Sequence, residues 1–159
     1  MGDPKAKIWL NYFKMGRPDY YHQQLFGVIL KGFSMKLAIS ISGKKLSSPF
    51  DARFGRAAAF CIVDTESGEW EAFDNPALSA SGGAGVQASQ FVAEHGAEAV
   101  ASGAFGPNAF DTLDAAKVEM YLAPGNIAQT AAEVLEMFKA GKLEKAEAAT
   151  HEGHHGGGH

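Results

Sequence analysis

Lys36-Leu37-Ala38-Ile39-Ser40-Ile41-Ser42 alternates, with Leu37, Ile39 and Ile41 pointing one way and Ala38, Ser40 and Ser42 the other. A period of two is the signature of a β-strand. Downstream, Gly43 to Gly55 reads as a loop carrying the turn residues Ser47, Ser48 and Pro49. Ala58 to Val63 is a continuous apolar run, the pattern of a strand buried on both faces. Glu66-Ser67-Gly68 supplies a turn, Glu69 to Phe73 returns antiparallel, and Asn75-Pro76 stops it. Three strands in a meander therefore open the domain.

The pattern then changes period. Gly82 to His95 reads as a helix with a glycine-rich entry and Gly96 as its stop. Ala97 to Ser102 is a short strand. Pro107 sits where a first helical turn accepts proline, opening a short helix that ends near Lys117. Val118 to Leu122 alternates again. Asn126 is placed to cap a last helix whose Ile127, Ala131, Val134 and Phe138 share one face, with Gly141 beyond it. The order β-β-β-α-β-α-β-α predicts an α/β fold, a mixed five-stranded sheet flanked by helices. The right-handed crossover rule lets the fourth strand run parallel beside the first, and the order is compatible with a ribonuclease H-like topology.

Upstream of Met35 the chain changes character. Residues 1–34 hold seven of the seventeen aromatics without a clear period, and carry five Lys/Arg against two Asp/Glu, whereas the remainder is acidic by seven charges. The expectation is an N-terminal extension over 1–34, with Met35 as the natural start, a binding domain over 35–145, and a disordered Gly/His-rich tail over 146–159. No apolar run approaches a membrane span and no cleavable leader is apparent, so a cytoplasmic protein with no membrane partner is expected. Cys61 is the single cysteine. An intramolecular disulfide and a four-thiolate zinc or iron–sulfur site within one chain are excluded.

Three stretches are able to carry chemistry. The loop after the first strand holds Ser42, Lys44, Arg53, Phe54, Gly55 and Arg56, with Lys36 and Lys45 nearby. This basic patch on an acidic domain points to an anionic ligand and not to nucleic acid in bulk, although charge runs commonly face water. The second stretch, Ser81-Gly82-Gly83-Ala84-Gly85, enters a helix, where free N–H groups and the helix dipole attract anions. Gly83, Gly85 and Ala88 formally match G-x-G-x-x-A, but Asn75 to Ala80 intervenes after the strand, against a dinucleotide site. Glycines there equally allow close helix packing. The third stretch, Ser102-Gly103-Ala104-Phe105-Gly106-Pro107-Asn108-Ala109, repeats the strand-end, glycine, helix-entry arrangement. Together the three would form one electropositive crevice at the carboxyl ends of the strands.

These stretches resemble a known family. Met35-Lys36-Leu37-Ala38-Ile39-Ser40 with Phe54-Gly55-Arg56, then Asn75, Gly83-Ala84-Gly85, Gly103 through Ala109 and Phe138-Lys139-Ala140-Gly141-Lys142-Leu143, are similar to the dinitrogenase iron–molybdenum cofactor accessory domain over roughly residues 35–145. The resemblance implies a ribonuclease H-like fold and non-enzymatic binding of a metal–sulfur cluster containing molybdenum, iron or copper. The cluster would be an iron–molybdenum cofactor precursor or a molybdenum–copper sulfide, the latter carried by a single-domain form in sulfate-reducing bacteria. The protein would be its carrier, store or scaffold, with partner proteins in cluster delivery. Many relatives place a histidine before Phe-Gly, where this chain has Arg53. Arginine donates to anions but does not readily coordinate a metal, which favours electrostatic capture.

Other readings compete. A metal-dependent nuclease needs converging carboxylates, yet Lys36 to Ser42 offers none, and Asp64, Asp111 and Asp114 are scattered. No G-x-S-x-G elbow is present. An interaction module whose basic loop meets an acidic partner is a further alternative. Mid-strand Cys61 reads as a buried small hydrophobe, and His95, beside Gly96, as a helix cap. His151, His154, His155 and His159 are candidates for loose nickel, copper or zinc binding.

Overall fold

The computed structural model describes residues 35–125 and 129–150. The chain divides into two units at the Ser34–Met35 junction, where the sequence changes character. The reading of residues 1–34, the cap at Asn126 with Ile127, and the four tail histidines lie outside the described residues.

Strands β1 (Lys36–Ile41), β2 (Ala59–Asp64) and β3 (Trp70–Asp74) form the antiparallel meander. Helix α1 (Ala84–Glu94), β4 (Ala99–Ser102), α2 (Pro107–Ala115), β5 (Glu119–Leu122), α3 (Ala131–Lys139) and β6 (Glu144–Lys145) follow. The sheet order is β3-β2-β1-β4-β5-β6. β4 lies parallel beside β1, with Leu37 opposite Ala99, and β5 is parallel to β4. The sheet has six strands, not five: Glu144 and Lys145 pair antiparallel with Leu122 and Tyr121. Two charged, exposed residues carry no periodicity, so only the neighbouring strand reveals β6.

Both faces of the sheet are covered. Leu37, Ile39, Ile41, Cys61, Val63 and Ala101 pack with Ala131, Val134 and Leu135 of α3. On the other face Ala38, Phe60, Ile62 and Val100 pack with Ala88 and Val92 of α1 and Ala109 and Leu113 of α2. β1 is accordingly buried from Leu37 to Ile41. Two further boundaries are corrected. α3 is capped by Thr130, whose hydroxyl accepts the Glu133 N–H at 3.2 Å. The domain also runs past Lys145: buried Ala146 donates its N–H to Met120 O at 2.8 Å, and Thr150 bonds to Phe105, so residues 146–150 are part of the packed body. No helix among the described residues is long and apolar enough to cross a membrane.

Candidate functional site

β1 and β4 run side by side, and the chain leaves them in different directions, from β1 towards β2 and from β4 into α2. Such a divergence at the carboxyl ends of parallel strands opens a crevice. The loop after β1 is fixed there by a buried pair of serines. Ser40 Oγ donates to Asp51 O at 2.6 Å, Ser102 Oγ lies 2.8 Å from it, and Ala52 O accepts from Gly103 N–H at 3.1 Å. Phe54 then plugs into the core between Phe60 and Phe105, at centroid distances of 5.3 and 5.4 Å.

This anchoring brings the three stretches together. A cleft of about 360 Å³ is lined by Phe54, Gly55 and Arg56 from the loop, Gly83 to Gly85 from the start of α1, and Gly106 to Ala109 from the start of α2, with Thr150. Gly83 is the N-cap of α1, in the left-handed region at φ +70°, and Gly106 is the N-cap of α2. Neither helix has a side-chain cap bond. The first intrahelical bonds are from Gln87 N–H to Gly83 O and from Phe110 N–H to Gly106 O. The N–H groups of Ala84, Gly85 and Val86, and of Asn108 and Ala109, thus have no intrahelical acceptor. Both positive dipole ends meet at one cleft, Arg56 adds a full charge, and none of the lining residues is acidic. Arg56 is exposed and has no ion pair among the described residues. Glycine also makes the close approach sterically feasible: a methyl at Gly55 would lie 3.2 Å from Gly85 N, and one at Gly85 would lie 3.2 Å from Ala109 Cβ.

The remaining residues singled out from sequence stand elsewhere. Lys44 Nζ bonds to Asp74 at 2.9 Å and Ser42 Oγ to Pro49 O at 3.3 Å, both away from the cleft lining. Asp51 holds the Arg53 guanidinium through Nε and a terminal nitrogen, each at 3.1 Å, and also accepts the Arg53 N–H at 2.9 Å. Asn75 is buried and works from behind. Its amide donates to Gly55 O and Ala57 O at 3.2 and 2.9 Å, and its oxygen accepts Ala77 N–H. Gly103 lies against Ala52, where any side chain would collide. Sequence reasoning had Ser40 and Ser102 among its stretches but missed their pairing across 62 residues, and it missed Thr150, which reaches the cleft only through β6.

Two other features were read from sequence. Cys61 is buried on the face covered by α3, and burial pushes its thiol up to about 11. His95 caps α1: its Nδ1 lies 2.8 Å from Phe91 O and its ring packs at a tilt against Phe91 and Phe73. A larger groove of about 670 Å³ lies at the other end of β1, lined by Lys36, Trp70 and His95 with Asp64, Glu69 and Glu71. Its three carboxylates oppose an anion. Among the described residues no group of three or more His, Cys, Asp or Glu is placed to hold a metal ion.

Comparison with known proteins agrees with the fold. The sequence profile of the family described as dinitrogenase iron–molybdenum cofactor matches residues 35–141. The apo form of the orange protein from Desulfovibrio gigas is 32% identical, with a TM-score of 0.69, over 74% of this chain and 97% of that one. A Thermotoga protein of the DUF35 family, provisionally described as a NifB protein, is 38% identical, with a TM-score of 0.65, over 75% of this chain and 99% of its own. No curated protein matches.

Proposed function

The chain belongs to the dinitrogenase iron–molybdenum cofactor family, and we propose that it holds an anionic metal–sulfur cluster in the cleft between the starts of α1 and α2, as a carrier, store or scaffold. The observation that carries this reading is the convergence of two uncapped helix N-termini and Arg56 on a space without a carboxylate. The donor set fits such cargo. N–H groups and a guanidinium bind anions and do not coordinate metals, so the cluster brings its own sulfide. Cys61 lies on the other face of the sheet and supplies no thiolate there. A molybdenum–copper sulfide or an iron–molybdenum precursor has the required negative charge. The strand order supports a ribonuclease H-like assignment, but the nuclease reading would need converging carboxylates, and the cleft offers none.

Charge-assisted hydrogen bonds contribute about 1.5–3 kcal/mol each. Arg56→Ala is therefore expected to weaken binding of tetrathiomolybdate about tenfold or more, followed by its visible absorption. Arg53→Ala should cost less, because Asp51 already engages that guanidinium, and Cys61→Ser should bind as the parent does. Loss of binding in Cys61→Ser alone would mean a thiolate-anchored cluster and refute the electrostatic account.

A further inference from the structure

Two walls of the cleft are helix starts packed on the core; the wall at Thr150 is built differently. Beyond α3 the chain buries Leu143 and Ala146, but Glu144, Lys145, Glu147 and Ala148 are exposed. β6 contributes only the pairs Tyr121–Lys145 and Leu122–Glu144. The Lys145–Glu119 ion pair beside them is exposed and adds little. Ala146 N–H bonds to Met120 O, and the chain then crosses to Thr150 in the cleft wall. There it is fastened to one residue. Thr150 N–H donates to Phe105 O at 2.7 Å, and the Thr150 hydroxyl accepts Phe105 N–H at 2.7 Å and donates to Phe105 O at 3.3 Å. Phe105 is itself firmly placed: it is fully buried against Phe54 and directly precedes Gly106, the N-cap of α2. Residues 143–150 are thus a strap, held by apolar burial at its near end and by hydrogen bonds at its far end. Segments with few buried apolar contacts open locally at a fraction of the free energy of global unfolding.

We propose that this strap retains the cargo and that the Thr150 hydroxyl is its latch. With the latch closed, an anion gripped by the helix starts and Arg56 is confined by the strap; release follows opening of residues 147–150. The inference rests on the cleft reading above and adds what sets the rate of release. Thr150 acts as a positioning residue and not as a ligand: a hydroxyl has one proton, and here it is directed to Phe105 O. Loosening the latch therefore raises the dissociation rate of cargo without slowing its association.

Two measurements on the full chain separate this inference from the one it rests on, each made on the parent, on Thr150→Val, which keeps the side-chain shape without the hydroxyl, and on Thr150→Ser, which keeps the hydroxyl. The first is amide hydrogen exchange without ligand. Thr150→Val leaves Phe105 N–H without its acceptor, so that amide should exchange about tenfold or more faster, while the amides of β4 stay as protected as in the parent. An unchanged Phe105 amide, or an equal loss of protection in β4, overturns the latch. The second is the rate of tetrathiomolybdate release, followed by stopped-flow absorption. Release should be about tenfold or more faster from Thr150→Val, with association no slower, and Thr150→Ser should restore the parent rate. Equal release rates in parent and Thr150→Val, slower association in Thr150→Val, or failure of serine to restore the rate also overturns it. Failure of the parent to bind tetrathiomolybdate refutes the cleft reading instead, and the Phe105 exchange still decides whether Thr150 fastens the strap.

Discussion

Arg53 and Arg56 are three positions apart in one loop, and the fold uses them differently. Asp51 accepts from the guanidinium and backbone of Arg53, whereas Arg56 stands at the cleft. Sequence spacing shows that both are basic and near a strand end, but a carboxylate two residues away redirects one of them. Asn75 is a similar case: its place in the family pattern is legible, but its work is to tie Gly55 and Ala57 from behind. Asn75 also caps the short 3₁₀ turn Pro76–Ser79, so Asn75→Ala removes that cap and leaves two carbonyls without their donor, and it should destabilise the domain by about 2–4 kcal/mol in denaturant unfolding. A variant as stable as the parent would show that the loop is held otherwise. Cys61 gives a chemical check at the same scale. With the thiol pushed up to about 11, only about 0.1% is thiolate at pH 8, and that fraction is buried. A thiol reagent should label it only on unfolding; rapid stoichiometric labelling of the native protein would contradict its placement.

At the scale of elements, β6 depends on a small surface network. Tyr121 Oη donates to Glu119 at 2.8 Å, and Lys145 reaches across from β6 to the same carboxylate at 3.1 Å. The Tyr121 hydrogen bond is the largest effect, burial opposes it, and the Lys145 bond and charge add to it, so that Glu119 is held below the usual carboxylate value. Burial, with Glu119, pushes Tyr121 up to about 12. A carboxylate lowered in the folded state adds stability above its unfolded value of about 4.3, and that stability is lost as pH falls through the folded value. Glu119→Gln should therefore lower the melting temperature slightly at pH 7, by less than about 1 kcal/mol in stability because the group is partly exposed. The difference should vanish at acid pH, and a deficit that persists there would assign the loss to packing instead. The five longer strands and three helices were legible from different signals: alternation in β1, a continuous apolar run in β2, and glycine or proline punctuation around β3 and the helices. β6 was not, nor was the start of α3, where Thr130 caps the helix. The glycines before α1 and α2 were legible as helix entries; Gly83 is required by its left-handed φ of +70°, whereas the close contacts fall at Gly55 in the loop and Gly85 in the first turn of α1.

At the scale of the whole molecule, the cleft is a product of topology. Its walls come from positions about 50 residues apart in sequence, joined because β1 and β4 are parallel neighbours. Sequence patterns place two of the stretches at strand ends and the other at a helix entry, but their convergence depends on that pairing and on the Ser40–Ser102 contact. The C-terminal return of Thr150 depends on β6 and is invisible without it. An open electropositive site should also lose affinity as ionic strength rises, since the Debye length shrinks from about 10 Å at 0.1 M salt to about 3 Å at 1 M. The central claim is that two helix N-termini and Arg56 hold an anionic thiometalate. Amide chemical-shift mapping of the ¹⁵N-labelled protein during tetrathiomolybdate titration tests it most directly. The account predicts the largest shifts at Ala84, Gly85, Val86, Asn108 and Ala109, reached in Arg56→Ala only at about tenfold or more higher ligand concentration. Shifts centred instead on the groove of Asp64, Glu69 and Glu71, or on Cys61, would contradict it.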